Sequence, residues 1–150
     1  MTIRKATLKD SKEIHSLLIS YAEKEKLLPR SLSEIYDNIR DFWIKVEKEK
    51  VIGCAALHIV WEDLGEIRSL AVKKSHHQKG IGKKLVERCI REGKNIGVKK
   101  IFALTYVPDF FKRIGFTEIP KEKLPHKIWS DCIKCFKFPD CDEIALMKNI

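Results

Sequence analysis

The segment SLAVKKSHHQKGIGKKLVERCI, residues 69–90, sets Gly80 and Gly82 in a cationic stretch with His77, Lys79, Lys83 and Lys84, and leads straight into a helical pattern. A helix start exposes N–H groups that have no intrahelical acceptor, and the macrodipole adds partial positive charge at that end. Glycines let the backbone approach a ligand closely, so such a junction suits an anionic group, above all a phosphate. The alternative is a plain strand-to-helix turn covered by a solvated lysine face, and the local pattern does not choose between the two. The Walker loop needs a longer spacing between its glycines than is found here, and the first glycine of the dinucleotide fingerprint is missing. A second group of reactive residues, His126, Cys132, Cys135 and Cys141, contains one Cys-x2-Cys knuckle of the zinc-binding kind but no second knuckle. Reduced cysteines packing an irregular tail are the favoured reading over a zinc site, and no metal is assigned.

These residues need elements to hold them. Residues 3–5 read as a short strand, and Thr7 with Asp10 reads as a helix start, after which Ile14, Leu17, Leu18, Tyr21 and Ala22 recur at helical spacing. Pro29 interrupts, and Ser31 with Glu34 forms a capping box for a second helix that turns Leu32, Ile35 and Ile39 inward. Residues 42–47 and 51–61 read as an antiparallel hairpin across Lys48-Glu49-Lys50, and residues 66–72 as the next strand. Beyond the glycine segment, Ile81, Leu85, Val86, Cys89, Ile90 and Gly93 mark a helix closed by Gly97. The strand at 101–105 then runs parallel to the 66–72 strand, as a strand-helix-strand order requires. A short helix over 108–114, closed by Gly115, and strands at 117–119 and 143–148 complete the pattern. The fold class is α/β (α+β): a mixed sheet with helices on both faces, in one domain spanning 1–150.

With 150 residues, 44% of them hydrophobic, the chain can bury a substantial core. The N-terminus lacks the apolar stretch of a signal peptide, and no run approaches the ~18 apolar residues of a membrane span, so a cytoplasmic protein is expected. Thirty Lys+Arg against 21 Asp+Glu give a net charge of +9, which would attract nucleic acid, acidic membranes, phosphorylated cofactors or small acidic substrates alike. The lysines spread over several elements rather than forming one basic stripe, which argues against a nucleic-acid-binding module. Five cysteines without an export signal do not suggest a disulfide framework, and Cys54 and Cys89 sit in apolar patterns as core residues.

The glycine loop resembles the pyrophosphate loop of the GNAT superfamily of acyl-CoA-dependent N-acetyltransferases, with Gly80 and Gly82 as motif glycines and His77 in the usual Gln/Arg place. IRKAT, the long hairpin, the 66–72 strand and FFKRIGF follow in the superfamily's order. The resemblance implies a mostly antiparallel sheet whose one parallel pair splays to admit the pantetheine arm of acetyl-CoA. It further implies that the backbone of Leu70, Ala71 and Val72 binds that arm and the thioester carbonyl, while His77, Gln78, Lys79, Gly80, Ile81, Gly82 and Lys83 bind the pyrophosphate.

Within the superfamily, LLPRSLSEIYDNIRDFW, GCAALHIVWEDLGEIRSLAV and IFALTYVPDFFKRIGF are similar to amino-acid N-acetyltransferases of the N-acetylglutamate synthase type, which serve arginine biosynthesis. The resemblance implies a small acidic amino acid as partner, with Arg30 and Arg68 as carboxylate anchors; guanidinium groups suit that task because they bind a carboxylate through two parallel hydrogen bonds. Arg68 could instead pair with Glu66 or Asp63, and Arg30 could simply flank the capping box. Glu66, two residues before Arg68 on the same strand face, is the candidate general base. Phe111 stands where the superfamily often has a tyrosine acid, leaving Tyr106 as the candidate proton donor to the departing thiolate. Transfer to a protein lysine, an N-terminus or another small amine is the alternative reading, and a homodimer is left open. Neither nucleic acid nor a membrane is expected as a partner.

Overall fold

The computed structural model describes residues 2–23, 30–77, 79–124 and 143–150. β1 (Thr2–Lys5) leads through a 3-10 turn into α1 (Ser11–Glu23), followed by α2 (Leu32–Asp37) and a second 3-10 turn at Ile39–Asp41. β2 (Phe42–Glu47), β3 (Lys50–Trp61) and β4 (Leu64–Val72) form a meander, and α3 (Ile81–Ile96) connects it to β5 (Lys100–Thr105). α4 (Pro108–Arg113), β6 (Thr117–Ile119) and β7 (Ile144–Asn149) complete the chain. The seven strands make one sheet in the order β1-β2-β3-β4-β5-β7-β6. Every neighbouring pair is antiparallel except β4 and β5, as the sequence predicts.

Alternation along β3 distributes the core to both faces of the sheet. Ala55 and Leu57 pack with Leu85, Val86 and Cys89 of α3, whereas Cys54 and Ala56 pack with Ile14, Leu17 and Leu18 of α1. Gly97 closes α3 at φ +101, a conformation that disfavours any side chain. At the start of α2 the capping box forms as expected: the Glu34 amide donates to Ser31 Oγ at 3.1 Å, and the Ser31 amide donates to Glu34 Oε1 at 3.4 Å. Asp10 organises the other N-terminal junction. Burial works against its ionisation, but hydrogen bonds from Arg4 and Thr7 outweigh that and hold the carboxyl below its ordinary range.

Several boundaries differ from the sequence reading. Ile39 lies in the 3-10 turn after α2, yet still packs on the α1 cluster. β4 begins at Leu64 rather than Glu66, because the Asp63 carbonyl accepts from the amides of Lys99 and Lys100 and draws the turn against the start of β5. β7 begins at Ile144, with Glu143 buried just before it. The β2–β3 hairpin turns on Lys48 and Glu49 alone, at φ +51 and +63. Pro29 and the candidate ligands His126, Cys132, Cys135 and Cys141 lie outside the described residues. Among those described, no group of three or more metal-binding side chains occurs, and no helix is long and apolar enough to cross a membrane.

Candidate active site

The site begins with an irregularity in β4. Cys54 of β3 stands opposite Ala71, and Ala56 stands opposite Arg68, so β4 takes three steps where β3 takes two. The surplus residue falls at Ser69–Leu70, and Ser69 adopts φ +55, uncommon for a residue with a side chain. Its carbonyl accepts a hydrogen bond from Cys54 Sγ at 3.2 Å. Such a bulge sharpens the local twist. On the opposite edge the parallel ladder ends at Ile67↔Ala103, although β4 continues to Val72 and β5 to Thr105. The predicted splay is therefore present, bordered by the backbone of Leu70, Ala71 and Val72.

The glycine loop lies beyond the end of β4. Gly80 is the N-cap of α3 at φ +73, where only glycine sits without strain. No side chain caps this helix start and no acidic residue occupies its first turn, so its N–H groups and macrodipole are not offset by protein carboxylates there. Lys79, Lys83 and Lys84 are exposed around it. Gly82 serves a different purpose from that of Gly80: a Cβ on it would stand 3.3 Å from the Phe110 ring, so its lack of a side chain lets α4 close over α3. Ile81 is buried beneath the loop. His77 Nε2 lies 2.8 Å from the Val72 carbonyl. A carbonyl can only accept, so this nitrogen carries the proton and ties the loop to the strand end. Gln78 lies outside the described residues.

On the α1/α2 side of the sheet, a cleft is lined by both predicted anchors, Arg30 and Arg68, together with Ser69 of the bulge. Ile35, Phe42 and Ala56 supply apolar wall. Each arginine is held by a carboxylate: Arg68 Nε donates to Glu66 Oε1 at 2.6 Å, and Arg30 Nη1 donates to Glu34 Oε2 at 3.3 Å. The Arg68–Glu66 pair is the more enclosed, with side chains 13% and 8% exposed. Glu66, the candidate base, thus has one oxygen committed to Arg68 and does not itself line the cleft. Two residues absent from the sequence reading do line it, His58 and Asp41, paired at 3.0 Å through Nδ1 and Oδ2. The available signal was a lone histidine at an inward position of an otherwise apolar strand, GCAALHIVW.

Tyr106 follows β5 and is half-buried, but it is not among the residues lining the cleft. Phe111 is a core residue, edge-on to Phe110 and Phe116 with ring centroids 5.1 and 5.2 Å away. Cys54 and Cys89 are fully buried, and burial pushes the Cys54 thiol up to about 12 and raises that of Cys89 as well. Neither of these two is a thiolate near neutral pH.

The uncapped helix start on its cationic loop thus follows the end of β4, next to the point where the β4–β5 pair opens, an arrangement suited to an anionic group such as a pyrophosphate. Residues 11–116 match the acetyltransferase (GNAT) family, and the chain belongs to it. It is 43% identical to an uncharacterized N-acetyltransferase of Chlorobaculum tepidum, across 99% of this chain and 96% of that one. It is 34% identical to an amino-acid acetyltransferase of Mycobacterium tuberculosis, across 89% of this chain and 78% of the relative. Among solved structures it is similar to N-acetylglutamate synthase from Neisseria gonorrhoeae complexed with coenzyme A and N-acetyl-glutamate, with TM-score 0.90 and 28% identity over 99% of this chain. The alignment takes in 34% of that longer protein. The chain is an acyl-CoA-dependent N-acetyltransferase, and acetyl-CoA is its cosubstrate.

Proposed function

We propose that the enzyme acetylates the α-amine of L-glutamate, as a step of arginine biosynthesis in the cytoplasm. The observation that carries this reading is the convergence of Arg30 and Arg68, 38 positions apart in the chain, on one cleft that also touches the Ser69 bulge. Two guanidiniums in one small space suit the two carboxylates of glutamate, and pairing with Glu34 and Glu66 holds them in place before the substrate arrives. The pyrophosphate of acetyl-CoA would lie on the amides of Gly80, Ile81, Gly82 and Lys83, with Lys79 and Lys83 adding charge. In that pose the thioester sits in the splay, and backbone amides of Leu70, Ala71 and Val72 polarise its carbonyl as negative charge develops on oxygen. Glu66 orients Arg68 through their ion pair. Tyr106, just past β5, is the proposed donor to the leaving thiolate.

The test is thiol release with a panel of L-glutamate, glutamine, aspartate, ornithine and a lysine peptide. A charge-assisted hydrogen bond contributes about 1.5–3 kcal/mol, so Arg30→Ala and Arg68→Ala should each raise the KM for glutamate roughly 10- to 150-fold. Arg68→Ala also leaves Glu66 buried without its partner, so Arg68→Lys is run beside it to separate lost charge from lost folding. Equal rates on the non-acidic amines, or an unchanged glutamate KM in both arginine variants, would remove glutamate as the acceptor.

A further inference from the structure

The cleft has a proton acceptor of its own. His58 Nδ1 stands 3.0 Å from Asp41 Oδ2, and both side chains are about a quarter exposed, 28% and 27%, on the cleft wall. A carboxylate only accepts, so the shared proton sits on Nδ1, and in the neutral ring the lone pair is left at Nε2. The 3-10 turn at Ile39–Asp41 supplies the carboxylate, and β3 supplies the imidazole directly across from Glu66 of β4. Of the other titratable groups on the wall, Glu34 is taken up by Arg30 and by Ser31, and Arg30 and Arg68 are cations. Glu66 is enclosed behind Arg68. Among the described residues, the charged groups on the cleft wall or paired across from the imidazole are Asp41 in its own pair, Glu66 and Arg68 on β4, Arg30 just before α2 and Glu34 within it.

We propose that His58 is the general base for the acceptor amine and that Asp41 is its positioning residue. The inference rests on the reading of the cleft as the amine site, but not on glutamate being the amine. The chemistry balances without a further reactant. Nε2 takes one proton from the substrate ammonium, and the freed nitrogen lone pair attacks the thioester carbonyl carbon. The tetrahedral adduct breaks its C–S bond, the electron pair leaves on sulfur, the Tyr106 hydroxyl gives its proton to the thiolate, and a second nitrogen-bound proton restores that hydroxyl. The third remains on the amide, and His58 returns its proton to solvent. An imidazole with its far nitrogen held by a carboxylate is well suited to this task, because it keeps one tautomer and one ring orientation.

The experiment uses the full chain and whichever amine of the panel the wild-type enzyme acetylates fastest, so that failure of glutamate as substrate and failure of this proposal are separate results. His58→Gln should lower kcat by about a hundredfold or more, in the range that positioned acid–base groups supply. The KM for acetyl-CoA and the melting temperature should hold, and the acidic limb of the pH–rate profile should disappear. Asp41→Asn should lower kcat by a smaller factor and shift that limb rather than remove it, which loss of a merely structural contact would not do. Added imidazole should restore part of the rate to His58→Ala. The proposal is overturned if His58→Gln stays within about twofold of wild type in kcat. It is equally overturned if the limb persists in His58→Gln and vanishes in Glu66→Gln, which would make Glu66 the base.

Discussion

Gly80→Ala separates the backbone's part in the pyrophosphate loop from that of the lysines. Gly80 holds φ +73 at the N-cap of α3, and a Cβ built there meets nothing within 4 Å. The substitution therefore carries no steric clash, only the cost of forcing an L-residue into the left-handed region, about 1–2 kcal/mol. That cost must surface in one of two places. If the free loop relaxes to another conformation, acetyl-CoA has to restore the left-handed one, and its affinity falls roughly 5- to 30-fold. If the loop is held by the fold, affinity is retained and the melting temperature drops instead. Calorimetric titration with CoA beside thermal denaturation measures both shares, which should sum to the 1–2 kcal/mol expected of the backbone alone. Gly80→Asn should recover most of the loss, since asparagine visits this region at lower cost. The reasoning is refuted if Gly80→Ala matches wild type in both measurements, or if Gly80→Asn is as impaired as alanine, because then the side chain and not the backbone would be at fault.

Two further predictions concern parts of the molecule away from the cleft. Replacing Lys48-Glu49 by Asn-Gly relieves two positive-φ residues in the β2–β3 turn and should stabilise the fold by about 1 kcal/mol or more, seen as a higher urea midpoint with unchanged kcat. Cys54 and Cys89, buried with raised thiols, should stay unlabelled by iodoacetamide in the native protein at pH 8 and react fully in denaturant, as peptide mapping would show.

The elements that could be read from the sequence were those whose cause is local. The stripe Ile81, Leu85, Val86, Cys89 on α3, the Ser31–Glu34 capping box and the terminal Gly97 each depend on neighbours within a turn or two, and each appears where expected. The parallel relation of β4 and β5 followed from the handedness of a strand-helix-strand connection. That β7 inserts between β5 and β6 was not legible, since it depends on which edge a distant segment meets. At the site, Arg30 and Arg68 reach one cleft as the family resemblance implied, whereas the bulge at Ser69 had no signal, because serine is not a residue that marks positive φ. His58 and Asp41 were hidden for a similar reason: 17 positions separate them, and only the fold turns their side chains toward each other. Gly82 has a second part that the sequence did not display, making room for the Phe110 ring.

The early end of the β4–β5 ladder at Ile67↔Ala103 has a consequence for assembly hazards. An unsatisfied row of peptide groups on the rim of a protein invites another chain to add itself, and evolution usually blunts such rims with charge or proline. Here the ladder ends in the middle of the sheet, between two strands that remain joined at one end. A foreign polypeptide with bulky side chains would find that slot hard to enter, while a thin, unbranched tether carrying its own amide groups could slide in and complete the pattern. In the proposed pose, the same interruption that elsewhere promotes aggregation would act as a filter for the shape of the acyl carrier.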